Sequence, residues 1–350
     1  MMLNLDGSIS FGSMQEPAPS DGSFDVLIVG AGAAGLSAAV ALGRARRSVV
    51  VIDAGEPRNA PAQHMHGYLS RDGINPAEFL ALGRDEASRY GARFIGDTAT
   101  AATRSESGSF TVDLAGGQAV TGRRLLVTTG LVDELPEIPG LQERWGRDVI
   151  HCPYCHGWEV RDQQIVVISS GPMGVHQAQL FRQWSAHITL SVHTGPKPTA
   201  LQLEEFASRS IDVVEGEVAS IVVDDDRLVG VALGDGRVIP ADAVVVGPRM
   251  IARSGVLSAL GLDAVEHPMG MGTHIPCDEL GATAVPGVWV AGNVADIRGQ
   301  VVHAAAAGTW AGAAINADLI ADDTRMAVEA MHAAHAVTID DAVLLARRDT

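Results

Sequence analysis

Cysteine is scarce in this 350-residue chain, with only Cys152, Cys155 and Cys277 present. Three cannot build the multi-bridge framework of a small secreted domain. Aromatic side chains are also few, 4% against 47% hydrophobic residues overall. The core must therefore come from Ala, Val and Leu on helices and buried parallel strands. Lysine and arginine total 25 against 42 aspartates and glutamates, a formal charge of −17. That balance excludes nucleic acid and an anionic membrane surface as expected partners, since both are held by basic patches. No apolar run reaches the length of a membrane span. Residues 1–22 have neither a basic start nor a long apolar stretch, so no signal peptide is expected and they read as a disordered leader. The rest reads as a soluble, cytoplasmic chain long enough for two domains.

Two of the three cysteines stand in Cys152-Pro153-Tyr154-Cys155-His156. A C-x-x-C pair can cycle between dithiol and disulfide, and an adjacent imidazole can move the accompanying proton. A zinc site would need two more ligands; His151 and His156 share one short loop with the pair, so no metal is expected. Cys277, in Ile275-Pro276-Cys277, reads as a small buried apolar side chain.

The pair lies between two nucleotide-fold patterns. In the first, residues 25–29 (DVLIV) form an apolar run, followed by Gly30-Ala31-Gly32-Ala33-Ala34-Gly35, an Ala/Leu-rich helix to Arg47, and a strand over residues 49–52 ending at Asp53. The first glycine makes the turn, the second admits a pyrophosphate to the backbone, and the third packs helix on strand. The helix start supplies N–H donors, and the acid at the second strand's end suits ribose hydroxyls. Gly30, Gly32, Ala33, Ala34, Gly35 and Asp53 are therefore candidate dinucleotide ligands. The second pattern runs from the strand at residues 164–168 through Ser169-Ser170-Gly171-Pro172-Met173-Gly174 to a helix over 175–184 and a strand over 187–192. Its first glycine has become Ser169. Asp224-Asp225-Asp226 and Gly234-Asp235-Gly236 read as hairpin turns, and the C-terminal tail as two helical stretches, near residues 326–336 and 340–347.

Residues 124–130 read as a strand closing on Thr129-Gly130, and residues 285–293 as a strand ending in Gly292-Asn293. Gln300 then precedes a helix opening at Val301. These elements resemble the threonine-glycine turn and C-terminal flavin motif of two-domain FAD-dependent disulfide reductases. The resemblance implies an α/β fold of two Rossmann-like domains of the thioredoxin reductase type, the second inserted into the first. Residues 23–143 and 250–350 would bind FAD and residues 144–249 would form the insert. It further implies a homodimer, with Thr129, Gly130, Gly292, Asn293, Gln300 and Val301 near the flavin, and with Arg58, Asn59 and His66 on a loop that runs close to it. Asn293 departs from the family's aspartate but keeps an acceptor oxygen for a ribityl hydroxyl.

The resemblance also assigns the pair. Cys155 becomes the flavin-facing thiol and Cys152 the interchange thiol. His156 replaces the aspartate that thioredoxin reductases place after the second cysteine, and an imidazole can both take and return a thiol proton near neutral pH. Thioredoxin reductases carry His-Arg-Arg and a further Arg to hold NADPH. His193 matches the histidine here, but Thr194, Gly195 and Thr199 occupy the arginine positions and only Lys197 offers charge. The nicotinamide site is expected to be vestigial. With CPYCHGWE at residues 152–159, the chain resembles the FAD-dependent dithiol oxidases that close disulfides in natural products such as gliotoxin and holomycin. That implies a small-molecule dithiol substrate, with electrons passing through the pair and FAD to oxygen, giving hydrogen peroxide. Two other readings stay open. One is a thioredoxin-serving disulfide reductase fed by NADPH or another donor such as ferredoxin; the other is a flavin-binding redox sensor without turnover.

Overall fold

The computed structural model describes the backbone of residues 2–3, 9–10 and 23–346 and the side chains of residues 23–333. The leader expected over residues 1–22 falls almost wholly outside the described residues.

The first sheet is built on a parallel core. Ser23–Val29 lies between Val49–Ile52 and Ala119–Val127, with Arg93–Ile95 on the far edge. The second half of Ala119–Val127 also pairs in parallel with Val288–Val290, while its first half starts an antiparallel meander with Phe110–Leu114 and Ala99–Arg104. Strand residues point alternately to opposite faces, and here both faces are covered. Val26, Ile28, Val49 and Val51 pack against the helix Ala33–Arg44 and the long helix Val301–Ala346, while Leu27, Val29, Val50 and Ile52 pack toward Phe110 and Val112 of the meander. Continuous apolar runs are what a doubly covered parallel sheet requires.

The second sheet is wholly parallel, in spatial order Val149–Ile150, Ala243–Val246, Ile165–Ser169, Ile188–Val192, Ile211–Glu215. One face packs on the helix Gly174–Phe181 through Ala178 and Phe181. The other meets a three-stranded antiparallel sheet of Val218–Asp224, Arg227–Leu233 and Val238–Pro240. Asp225 and Asp226, both at positive φ, turn the first of its hairpins, as their sequence suggests. The chain leaves the first sheet through Leu131–Glu134 and returns through Arg249–Ala252, and these two strands pair antiparallel.

The C-terminal tail differs from the sequence expectation. One continuous helix, Val301–Ala346, replaces separate helical stretches; at 1.5 Å per residue it is about 69 Å long. No proline interrupts it, and arginines from the first sheet and from the turn before Val49–Ile52 grip its flank. Arg47 meets Asp323 at 2.8 Å and Asn316 at 2.8 Å, Arg123 meets Asp322 at 3.0 Å, and Arg124 contacts Asp318. Hydrogen bonds from Arg325 on the same helix, first, and from Arg123, next, carry Asp322 down to about 2. No described helix is long and apolar enough to cross a membrane.

Candidate active site

A cavity of about 990 Å³ opens between the two sheets. It is lined by the Gly30-to-Ala34 turn, by Asp53, Arg58, Asn59 and His66, by Thr129 and Gly130, by Cys152, Cys155 and His156, and by Gly292, Asn293, Gln300 and Val301. The fold thus brings together candidates spread over some 270 residues of sequence. Gly35 is the one sequence candidate that does not line the cavity. A Cβ there would lie 2.0 Å from the Gly30 carbonyl oxygen, so this glycine serves helix-on-strand contact. Gly30 itself has φ +103°, and a side chain would meet the Thr128 carbonyl oxygen at 2.6 Å. Thr128 closes the turn from the other side, its hydroxyl donating toward the carbonyls of Val29 and Gly30.

At one end of the cavity Asp53 accepts from the Ala31 N–H at 2.9 Å and pairs with Arg84. Arg84 stands on the helix Pro76–Arg89 and stacks its guanidinium over Phe94. Sequence reading missed it, because nothing local marks an arginine from that helix as a partner of the strand-end acid.

Toward the middle, Arg58 makes a fork of two bonds to Asp133, at 2.8 and 2.7 Å, and approaches the Asn293 Oδ1 at 3.3 Å. Asn293 donates its amide to the carbonyls of Asp296 and Gly299, at 2.9 and 2.8 Å. An aspartate accepts only and could not make those two bonds. The substitution read from sequence as a change in cofactor contact also stabilises the turn that leads into the long helix. Thr129 likewise ties strands together, donating to the Arg253 carbonyl at 2.6 Å.

The other end holds the redox pair. Cys152 and Cys155 are joined as a disulfide, their Cα atoms 5.3 Å apart. Pro153 opens the short helical turn Pro153–His156, and the N–H groups of Cys155 and His156 both donate to the Cys152 carbonyl. Gln300 Nε2 lies 3.6 Å from Cys155 Sγ and 3.9 Å from Cys152 Sγ, which brings the start of the long helix onto the pair. Burial pushes the His156 imidazole below its ordinary value of 6.5; Glu159 opposes that shift, while His66 and His151 add to it. An imidazole held neutral in this way can accept a proton. His151 is also pushed down by burial, its Nδ1 set 3.1 Å from the Val246 carbonyl oxygen.

The structure adds partners for His66 and corrects the reading of Cys277. His66 lines the cavity, but its two ring nitrogens face carboxylates, Asp72 at 3.3 Å and Glu159 at 3.3 Å. Glu159 was not singled out from sequence, although it closes the CPYCHGWE run. Cys277 is exposed rather than buried. Ile275 takes the buried place, and Cys277 starts a turn in which Asp278 accepts from the N–H groups of Leu280 and Ala282.

A family model described as pyridine nucleotide-disulphide oxidoreductase matches residues 24–308. The chain is 31% identical over 309 residues to thioredoxin reductase tcpT of Claviceps purpurea, covering 85% of this chain and 95% of that protein. It is 30% identical over 318 residues to thioredoxin reductase sirT of Leptosphaeria maculans, covering 86% and 95%. Among solved structures, HlmI superposes with a TM-score of 0.83 at 46% identity, over 89% of this chain and 96% of that one.

Proposed function

The chain belongs to the pyridine nucleotide-disulphide oxidoreductase family, and from that premise we propose that it oxidises a small-molecule dithiol through Cys152 and Cys155, with FAD in the cavity and oxygen as final acceptor, released as hydrogen peroxide. It is a thioredoxin reductase-like oxidoreductase, and the finer reading concerns where its electrons come from.

The second nucleotide-fold unit carries that reading. Each position where a thioredoxin reductase would hold an NADPH phosphate is neutral or already engaged. Thr199 caps the helix Ala200–Ser208 in a reciprocal box with Gln202. His193 Nδ1 accepts from the Val218 N–H at 2.9 Å. Lys197 pairs with Glu215 at 2.7 Å. A side chain at Gly195 would begin 2.6 Å from Ser169 Oγ and 2.8 Å from its carbonyl oxygen, so the serine that replaced the first glycine also bars an arginine there. Electrons are thus supplied by the thiol side.

The residues around the cavity fit FAD. The Gly30-to-Ala34 turn and the start of Ala33–Arg44 would hold the pyrophosphate, Asp53 the adenosine ribose, and Thr129, Gly130, Asn293 and Gln300 the flavin end. When bound, FAD supplies the two-electron acceptor that returns the reduced pair to the disulfide. The chain's own residues perform the thiol exchange. His156 takes the proton from one substrate thiol, and the thiolate attacks Cys152 Sγ. The Cys152–Cys155 bond breaks and Cys155 leaves as thiolate, with the Gln300 amide placed to donate to its sulfur. The second substrate thiol then displaces Cys152, giving the product disulfide.

The name carried by tcpT and sirT supports a second reading, a thioredoxin-directed disulfide reductase. An oxygen electrode and a peroxide assay with a small dithiol separate the two. The oxidase reading expects oxygen consumed, peroxide formed and disulfide formed in equal amounts. Dithiol oxidation without peroxide would reject oxygen as acceptor and favour a protein partner.

A further inference from the structure

One side-chain amide reaches both reacting sulfurs. Gln300 Nε2 lies 3.6 Å from Cys155 Sγ and 3.9 Å from Cys152 Sγ, and these are the hydrogen bonds the pair's sulfurs receive among the described residues. An amide side chain has two N–H donors and one acceptor oxygen. Here the nitrogen faces the sulfurs and the oxygen faces Gly67, where an added Cβ would stand 3.7 Å from Oε1. That orientation has a chemical reason: a thiolate accepts hydrogen bonds, and Oε1 in the same place would oppose its charge.

The backbone around Gln300 is fixed on each side. Asn293 holds the Gly299 carbonyl at 2.8 Å, the Gln300 N–H donates to His303 Nδ1 at 3.3 Å, and the Gln300 carbonyl accepts from the Ala304 N–H at 3.0 Å. A donor held in advance favours a developing charge without reordering at the moment of reaction. The two sulfur contacts are unequal. The shorter runs to Cys155, the sulfur that leaves in the reading above.

We propose that Gln300 selects Cys155 as the leaving sulfur, its amide holding the thiolate formed there and so directing the incoming thiol to Cys152. This inference rests on the reading of Cys152 and Cys155 as the pair opened by a substrate thiol. In the step concerned, the incoming sulfur bonds to Cys152 Sγ, and the Cys152–Cys155 bond breaks with its electron pair on Cys155 Sγ. The incoming sulfur is oxidised, Cys155 is reduced, and the proton of the incoming thiol goes to His156. A disulfide sulfur is a weak acceptor and a thiolate a strong one, so the amide contact strengthens as charge develops on Cys155. Exchange is faster when the departing thiol is more acidic, and the amide supplies that acidity to Cys155 rather than Cys152. Gln300 touches the reacting atoms and is a catalytic residue.

Two measurements test this. In FAD-loaded Cys152→Ser protein, alkylation by iodoacetamide is followed at Cys155 across a pH series by mass spectrometry. Gln300→Leu in that background should raise the midpoint by about one pH unit, since one charge-assisted hydrogen bond is gone. Gln300→Glu keeps the shape but sets a charged oxygen against the sulfur, and should raise it at least as far. With the pair intact, 2-mercaptoethanol is added to FAD-loaded protein without oxygen, the reaction is quenched in acid, and the mixed disulfide is located by fragmentation. The adduct should sit on Cys152 in the parent and be shared between the two cysteines in Gln300→Leu, with opening slowed roughly three- to tenfold. An unchanged midpoint in both variants, or an adduct that stays wholly on Cys152 in Gln300→Leu, would overturn the proposal and leave the reading of the pair intact. An adduct on Cys155 in the parent would instead overturn the assignment of Cys152 as the interchange thiol, and the proposal with it.

Discussion

NADPH should be a poor reductant of this protein, by an amount the second sheet allows to be worked out. The perturbation is simple: micromolar NADPH, or a small dithiol, is added without oxygen to the FAD-loaded chain. A charge-assisted hydrogen bond contributes about 1.5–3 kcal/mol. By the resemblance to thioredoxin reductases, Thr194, Gly195 and Thr199 take the places of phosphate-binding arginines, and Lys197 already pairs with Glu215. Losing two such contacts costs roughly 3–6 kcal/mol, or about two to four orders of magnitude in Kd. Micromolar NADPH should then leave flavin absorbance unchanged over minutes, whereas dithiothreitol should bleach it within mixing time. A partial repair is also open to test. Thr194 is exposed and can carry an arginine, so Thr194→Arg should recover at most one contact, roughly ten- to a hundredfold. Gly195→Arg should recover nothing, because Ser169 occupies the space its Cβ needs. Stoichiometric bleaching by micromolar NADPH in the parent would refute the reasoning at its root.

Further predictions address the pair, the base and the long helix. Cys152→Ser should leave a Cys155 thiolate facing oxidised flavin and give a long-wavelength charge-transfer band, absent in Cys155→Ser; a band in the Cys155 variant instead would reverse the two roles. His156→Ala should slow disulfide opening by roughly 10²–10⁴-fold while FAD stays bound. In the parent the rate should hold as pH falls through the ordinary imidazole value of 6.5, since burial keeps His156 neutral below it. Asp322, at about 2 in the fold against 3.8 ordinarily, adds stability that is present above 3.8 and is lost as pH falls toward 2. The shift corresponds to about 2 kcal/mol, which screening at the helix surface reduces to about 1 kcal/mol. Urea midpoints of Asp322→Asn should accordingly lie below the parent at pH 7 and converge with it in strong acid.

What could be read along the chain was whatever is local and repeated. Val26 and Ile28 alternate with Leu27 and Val29 between two covered faces, and such a run followed by glycines at fixed offsets identifies a strand, turn and helix before any contact is known. The aspartates of the Asp224-Asp225-Asp226 turn declare a hairpin for the same reason. The helix Pro76–Arg89 escaped notice because only Pro76 and Ala87 are buried on it, so no apolar stripe marks it. Pairings between distant residues were invisible: Arg84 with Asp53, Arg58 with Asp133, and His66 with Glu159 have no spacing rule. The placement of Cys277 was misjudged from composition. Cysteine is usually a buried residue type, but the Asx-type turn at Asp278, three residues after Ile275, puts it outside.

Val288–Val290 completes the first sheet by pairing with Leu125, Leu126 and Val127, which leave the ribosome roughly 160 residues earlier. At about 5–20 residues per second, the edge of Ala119–Val127 waits on the order of ten to thirty seconds for its neighbour. Within that interval all five strands of the second sheet are synthesised, from Val149–Ile150 to Ala243–Val246, and they need nothing downstream. Synthesis order therefore favours an inserted sheet that closes first and a first sheet that keeps one edge of Ala119–Val127 open until near the end. An unpaired apolar edge recruits other chains, so a product truncated just after Ala252 should aggregate through the first sheet while the second is already folded.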